Sequence, residues 1–114
     1  MMSKTKKELA SLTCVPCRGG TPPMEGEKIK LMLDAVPDWT KSAGDIDKIE
    51  KLFKFKDFKE AMNFVNKVAE IAEEQDHHPD IFVQWNKVTL TLWTHAINGL
   101  FENDFIVAAK IDEI

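Results

Sequence analysis

The sequence is poor in the features that send a chain into a membrane, onto a nucleic acid or into an oxidising compartment. No apolar run approaches the roughly 20 residues that a helix needs to cross a bilayer. Basic residues are the minority, with 15 Lys+Arg against 19 Asp+Glu and a net charge of −4. That balance argues against an extended nucleic-acid surface, which needs a basic patch. The short run Lys4, Lys6, Lys7 does not restore one. The opening residues, MMSKTKKELASLTC, start basic but contain no apolar h-region, so no signal peptide is expected and the expected location is cytoplasmic. There the two cysteines, Cys14 and Cys17, are expected to be reduced thiols rather than a structural disulfide. No second C-x-x-C completes a zinc site, and no βαβ unit surrounds the pair for a thioredoxin-type role. The pair reads first as carrying no chemistry; an accessory metal site, shared between chains, and a redox role are the alternatives.

What is present describes one soluble globular domain. A chain of 114 residues, 44% apolar and 30% charged, is long enough to bury a core without staples. Residues 1–23 are polar and then rich in Pro and Gly (CVPCRGGTPP), which predicts an extended N-terminal arm. Residues 24–114 form the single domain, with no repeat, linker or low-complexity segment.

Within that domain the periodicities alternate. Residues 24–35 predict a short helix, with Glu25 and Glu27 in its first turn and Ile29, Met32 and Leu33 as its stripe. Pro37 ends it, Trp39 opens a short strand, and 46–55 read as the return strand with Phe53 and Phe55 on one face. Asp57 followed by Glu60 is a capping-box-like start for a helix over 58–75, about 27 Å long. Its predicted apolar face is Phe58, Ala61, Met62, Val65, Val68, Ala69 and Ala72. Residues 81–85 and 88–94 read as strands joined by a turn at Asn86-Lys87, and the last helix covers about 102–113 with an indistinct pattern. The order α-β-β-α-β-β-α predicts an α+β two-layer sandwich, a four-stranded antiparallel sheet with helices on one face. Ile81-Phe82-Val83 is a segment that could pair across a dimer axis.

The chemistry concentrates in Glu73–Asp104. All three histidines, His77, His78 and His95, lie within nineteen residues of it. Histidine is the side chain suited to proton transfer near neutral pH. Glu73 stands one helical turn before His77, where a carboxylate favours the protonated imidazole, an acid for a leaving hydroxyl. His95 could act from a second direction, and Asp104 could hold an imidazole in one tautomer. Trp85 and Trp93 offer flat apolar surface to a planar ligand. A bland reading also exists: His-His-Pro can simply cap a helix end, and a strand histidine can be a surface residue. A zinc site is a weaker alternative, because adjacent histidines rarely chelate one ion and no H-E-x-x-H helix is present.

Glu73-x-x-x-His77-His78-Pro79, Trp85-Asn86-Lys87-Val88, Thr94-His95, Gly99-Leu100 and Asp104, with Phe53-x-Phe55-x-Asp57-Phe58, together resemble the pterin-4a-carbinolamine dehydratase family. The resemblance covers about residues 37–112. It implies dehydration of 4a-hydroxy-tetrahydropterin to quinonoid dihydropterin, without metal or organic cofactor, in recycling pterin from an aromatic amino-acid hydroxylase. It implies catalytic roles for His77, His95 and Glu73, and substrate contacts from His78, with Trp85 and Asp104 beside it. It implies a homodimer or homotetramer, and no direct nucleic-acid or membrane partner is expected. Animal members of the family also serve as dimerisation cofactors of a homeodomain transcription factor, so a pterin-binding or protein-binding module without the activity is the alternative. Two positions depart from the pattern: Phe101 stands where Ser or Thr is usual, and Asp76 where Asn is common.

Overall fold

The computed structural model describes residues 4–16 and 19–114; Cys17, half of the C-x-x-C pair, lies outside them. The elements are α1 (Lys6–Ala10), α2 (Gly26–Ala35), β1 (Thr40–Lys41), β2 (Ile49–Lys54), α3 (Phe58–Gln75), β3 (Asp80–Gln84), β4 (Lys87–Leu92), a 3₁₀ turn (His95–Ile97) and α4 (Glu102–Asp112). The four strands form one antiparallel sheet in the order β1-β2-β4-β3. Helices pack on one face of it, which is the expected α+β architecture.

The period of two in β4 decides which face is covered. Val88, Leu90 and Leu92 are fully buried, and the register sets Ile49 opposite Leu92 and Phe53 opposite Val88. Each such side chain contributes about 1.5–3 kcal/mol when fully buried. Leu52, one residue out of phase with Phe53, is half exposed on the other face. Lys51 takes a core-side position, which breaks the alternation. Its ammonium lies 4.6 Å from the Phe53 ring centroid and meets the Asp112 carboxylate at 2.8 Å.

Helix α3 begins as the sequence predicts: the Asp57 side chain accepts from Glu60 N–H at 2.9 Å. Its buried face is rotated from the predicted one. Ala61, Phe64, Val68 and Ala72 point inward, while Phe58 is half exposed. Phe64 packs between Phe53 and Phe55, with ring centroids 4.6 and 5.0 Å away. The helix stops at Asp76, which adopts φ 51°, ψ 41°. Asn and Asp tolerate this left-handed conformation better than other non-glycine residues, so Asp76 does the conformational work of the Asn common there.

Three further expectations change. The arm is not extended throughout: α1 forms in it, with a Thr5–Glu8 capping box and Leu9 fully buried. Lys110 Nζ donates to Ala10 O at 2.7 Å, and Lys6 meets Asp112 at 3.2 Å, so α1 lies against α4. This explains the indistinct pattern of α4. Its residues from Asn103 to Ala109 are all buried, because α1 covers one side and α3 the other. The hairpin turn falls one residue earlier than expected, on Trp85-Asn86, closed by the Gln84–Lys87 pair. Asn86 pins it by exchanging bonds with Phe55, N–H to carbonyl at 2.8 Å and side-chain amide to carbonyl at 2.9 Å. Finally, β4 ends at Leu92, and His95 opens the 3₁₀ turn rather than extending a strand.

Candidate active site

Two segments bring the histidines together. His77 and His78 follow the left-handed stop of α3, and Pro79 prevents the helix from continuing. His95 comes from the loop after β4. That loop closes on itself through Thr94 N–H to Gly99 O, 2.8 Å. All three border one cavity of about 470 Å³ together with Trp93, Thr94 and Ala96. The volume suits a small bicyclic ligand.

Asp104 organises this arrangement. Its carboxylate is fully buried near the start of α4 and accepts three hydrogen bonds: from His77 Nε2 at 2.6 Å, Thr94 Oγ1 at 2.8 Å and Phe101 N–H at 3.0 Å. The last bond serves the open end of α4. Phe101 has no side-chain oxygen with which to cap that helix, so only the carboxylate half of a capping box exists. One buried carboxylate therefore ties the His77 segment, the His95 loop and α4 together. With Nε2–H directed at Asp104, the free nitrogen of His77 is Nδ1.

Glu73 does not take the expected place. It bonds His78, Nε2 to Oε2 at 2.5 Å, and both groups are largely exposed. The carboxylate partner of His77 is Asp104, because the left-handed Asp76 turns the chain away from the helix axis before His77. Trp85 is also elsewhere. It sits on the hairpin turn at φ 51°, 67% exposed, one residue beyond the Gln84–Lys87 pair, which is itself four rungs of the ladder, about 13 Å, from the Asp80–Thr91 pair. Trp93 is the tryptophan at the cavity, and it stacks on His95 with centroids 3.8 Å apart and planes at 29°. Its indole N–H donates to Asp80 Oδ2 at 3.3 Å, and Lys48 Nζ lies 4.5 Å from its centroid. Trp93 and His95 therefore meet by stacking rather than by strand alternation.

The sequence reading missed the arm's share of the site. Cys14, Val15 and Pro16 line the same cavity. Burial pushes the Cys14 thiol up to about 11, with Lys110 opposing and Asp104 adding to the shift, so it is a neutral thiol at physiological pH. Thr94 was also missed as a partner of Asp104; its only signal was its position beside His95.

The profile of the pterin 4 alpha carbinolamine dehydratase family matches residues 22–114. A Rubrobacter xylanophilus protein provisionally named pterin-4-alpha-carbinolamine dehydratase is 46% identical over 107 residues, 94% of this chain and 98% of that one. One from Dechloromonas aromatica with the same provisional name is 42% identical, over 96% of each chain. The crystal structure of a transcriptional coactivator/pterin dehydratase from Brucella melitensis superposes with a TM-score of 0.76 at 37% identity, covering 80% of this chain and 96% of that one. A pterin dehydratase-like protein identified as a RuBisCO assembly factor in the alpha-carboxysome superposes at 0.58 with 25% identity, covering 67% and 87%. The chain belongs to the pterin-4a-carbinolamine dehydratase family.

Proposed function

We propose that the protein dehydrates 4a-hydroxy-tetrahydrobiopterin to quinonoid dihydropterin and water, in the recycling of pterin oxidised by an aromatic amino-acid hydroxylase. The observation that carries this reading is the convergence of His77, His78 and His95 on one cavity, with His77 held by buried Asp104. Family membership and the provisionally named relatives support it.

The substrate carries a hydroxyl and a ring nitrogen on the same carbon. Expulsion of water needs a proton on the hydroxyl, loss of the N–H proton, and donation of the nitrogen lone pair into a new C=N bond as the C–O bond breaks. His77, through Nδ1, and His95 are the pair that delivers and removes these protons. Each good acid or base contributes roughly 10²–10⁴-fold. His78 binds the substrate, and Glu73 orients His78 rather than His77. Asp104 fixes the ring and tautomer of His77. Trp93 backs His95, so the indole face that His95 covers is not available to the pterin.

The working form is a homodimer or homotetramer in the cytoplasm. Edge strand β3 supports this, with Ile81 and Phe82 exposed on it. No helix among the described residues is long and apolar enough to cross a membrane. The test of the activity is the ultraviolet decay of freshly generated 4a-hydroxy-tetrahydropterin with and without the protein. Acceleration proportional to protein concentration is expected. No acceleration by folded protein overturns the reading and leaves a pterin-binding or protein-binding module. Light scattering at micromolar concentration tests the assembly; a monomer alone contradicts it.

A further inference from the structure

The described residues of the N-terminal arm border the cavity rather than leading away from it. The Asn103 side-chain amide grips the Val15 backbone on both sides: Val15 N–H donates to Oδ1 at 3.1 Å, and Nδ2 donates to Val15 O at 2.6 Å. This is the pairing that a neighbouring strand would make. One residue earlier, Cys14 N–H donates to Gln75 Oε1 at 2.8 Å. Both amides are buried, Gln75 7% and Asn103 3% exposed. They belong to the elements that hold the central pair of the site. Gln75 ends α3, two residues before His77, and Asn103 adjoins Asp104.

Farther along, the arm meets the other side of the site. A Cβ on Gly19 would lie 3.7 Å from Ala96 O, and Pro23 packs so closely on Gly99 that a Cβ there would lie 2.6 Å from it. Met24 N–H closes the path on Leu100 O at 2.9 Å. The arm thus touches the His77 side and then the His95 loop. Val15, held by both of its backbone groups, nevertheless keeps its side chain 55% exposed at the cavity. An apolar side chain fixed in place but left uncovered beside a cavity is suited to meeting a ligand.

We propose that Cys14–Pro16 form a substrate-contacting wall, with Val15 as a specificity-determining contact to the bound reduced pterin and with Gln75 and Asn103 as positioning residues that hold this wall. The proposal rests on the pterin reading of the cavity. Its chemistry is binding only: an apolar wall supports both ground state and transition state and therefore acts on KM more than on kcat.

The experiment uses the full chain and compares wild type with Val15→Ala, Val15→Asp and Asn103→Ala. Steady-state dehydration gives kcat and KM, and fluorescence titration with 7,8-dihydrobiopterin gives a Kd independent of turnover. Val15→Ala is expected to raise KM and Kd about fivefold, as loss of buried methyl groups implies. Val15→Asp and Asn103→Ala should raise both about tenfold or more, with kcat within about twofold and an unchanged pH profile. A merely structural role for Asn103 would lower the melting temperature without moving KM. Val15 is exposed, so its variants fold even if Asn103→Ala does not. Wild-type KM and Kd in both Val15 variants overturn the wall while leaving the dehydratase reading intact. A wild type that neither accelerates dehydration nor binds the pterin overturns the reading of the cavity, and the wall with it.

Discussion

His77 Nε2 lies 2.6 Å from Asp104 Oδ1, twenty-seven residues further along the chain, and the same carboxylate accepts from Thr94 beside His95. This contact makes two distant segments one site. Asp104→Asn keeps the shape but replaces an acceptor-only group with an amide that cannot satisfy all three donors. The expected result is a fall in kcat of at least about 10²-fold and a loss of roughly 1–3 kcal/mol of stability. The dehydration assay and urea unfolding check it.

Glu73 serves as the contrast. Its pair with His78 is largely exposed, and exposed pairs contribute roughly 0–1 kcal/mol. Glu73→Gln should leave stability nearly unchanged and affect KM through His78 more than kcat through His77. A loss of kcat as large as that of Asp104→Asn would restore the expectation from sequence that Glu73 serves His77.

Trp93 is the support of His95. Such an aromatic contact is worth about 0.5–1.5 kcal/mol, so Trp93→Ala should lower kcat up to about tenfold and Trp93→Phe should recover most of it. Trp85→Gly is the matching control. It removes an exposed side chain from a left-handed turn position, where glycine is unstrained. Activity should be unchanged and the melting temperature unchanged or higher.

Cys14 carries a pH dependence whose sign is fixed by burial. Its folded-state value is raised from 9.0 to about 11, so above the unfolded value the unfolded chain loses this proton first. The stability it contributes is complete below about pH 9 and declines as pH rises toward 11. Urea midpoints between pH 8 and pH 11 should fall more in wild type than in Cys14→Ala. Equal slopes would contradict the shift.

The close approach of Pro23 to Gly99 gives a packing test. Gly99→Ala puts a Cβ 2.6 Å from Pro23 Cβ, and overpacking of this kind costs typically 1–3 kcal/mol. Thermal melts should show the loss. Because Gly99 closes the Thr94 loop, activity should fall as well.

Much of this architecture is legible in the sequence, for local reasons. The Asp57 cap, the alternation in β4 and the Pro79 stop are written in consecutive residues, and the structure keeps all three. What is not legible depends on three-dimensional neighbours. The face of α3 turned because Phe64, not Phe58, meets Phe53 and Phe55. The partner of His77 changed because Asp76 turns the chain to the left-handed region before it. The arm's place in the site had one indirect sign: five consecutive apolar residues, Phe105–Ala109, circle the middle of α4, and such a stretch needs a second cover, which α1 supplies. The motif itself was readable as a family resemblance, but only the fold separated Trp93 at the cavity from Trp85 on the turn.

In the proposed reaction His77 and His95 exchange protons with one bound pterin. The most direct measurement follows the ultraviolet decay of freshly generated 4a-hydroxy-tetrahydropterin with wild type, His77→Ala, His95→Ala and the double variant, each confirmed folded. Acceleration by wild type is expected, with a fall of about 10²-fold or more in each single variant and a double variant little worse than the weaker single one. Wild-type rates in both single variants would contradict it.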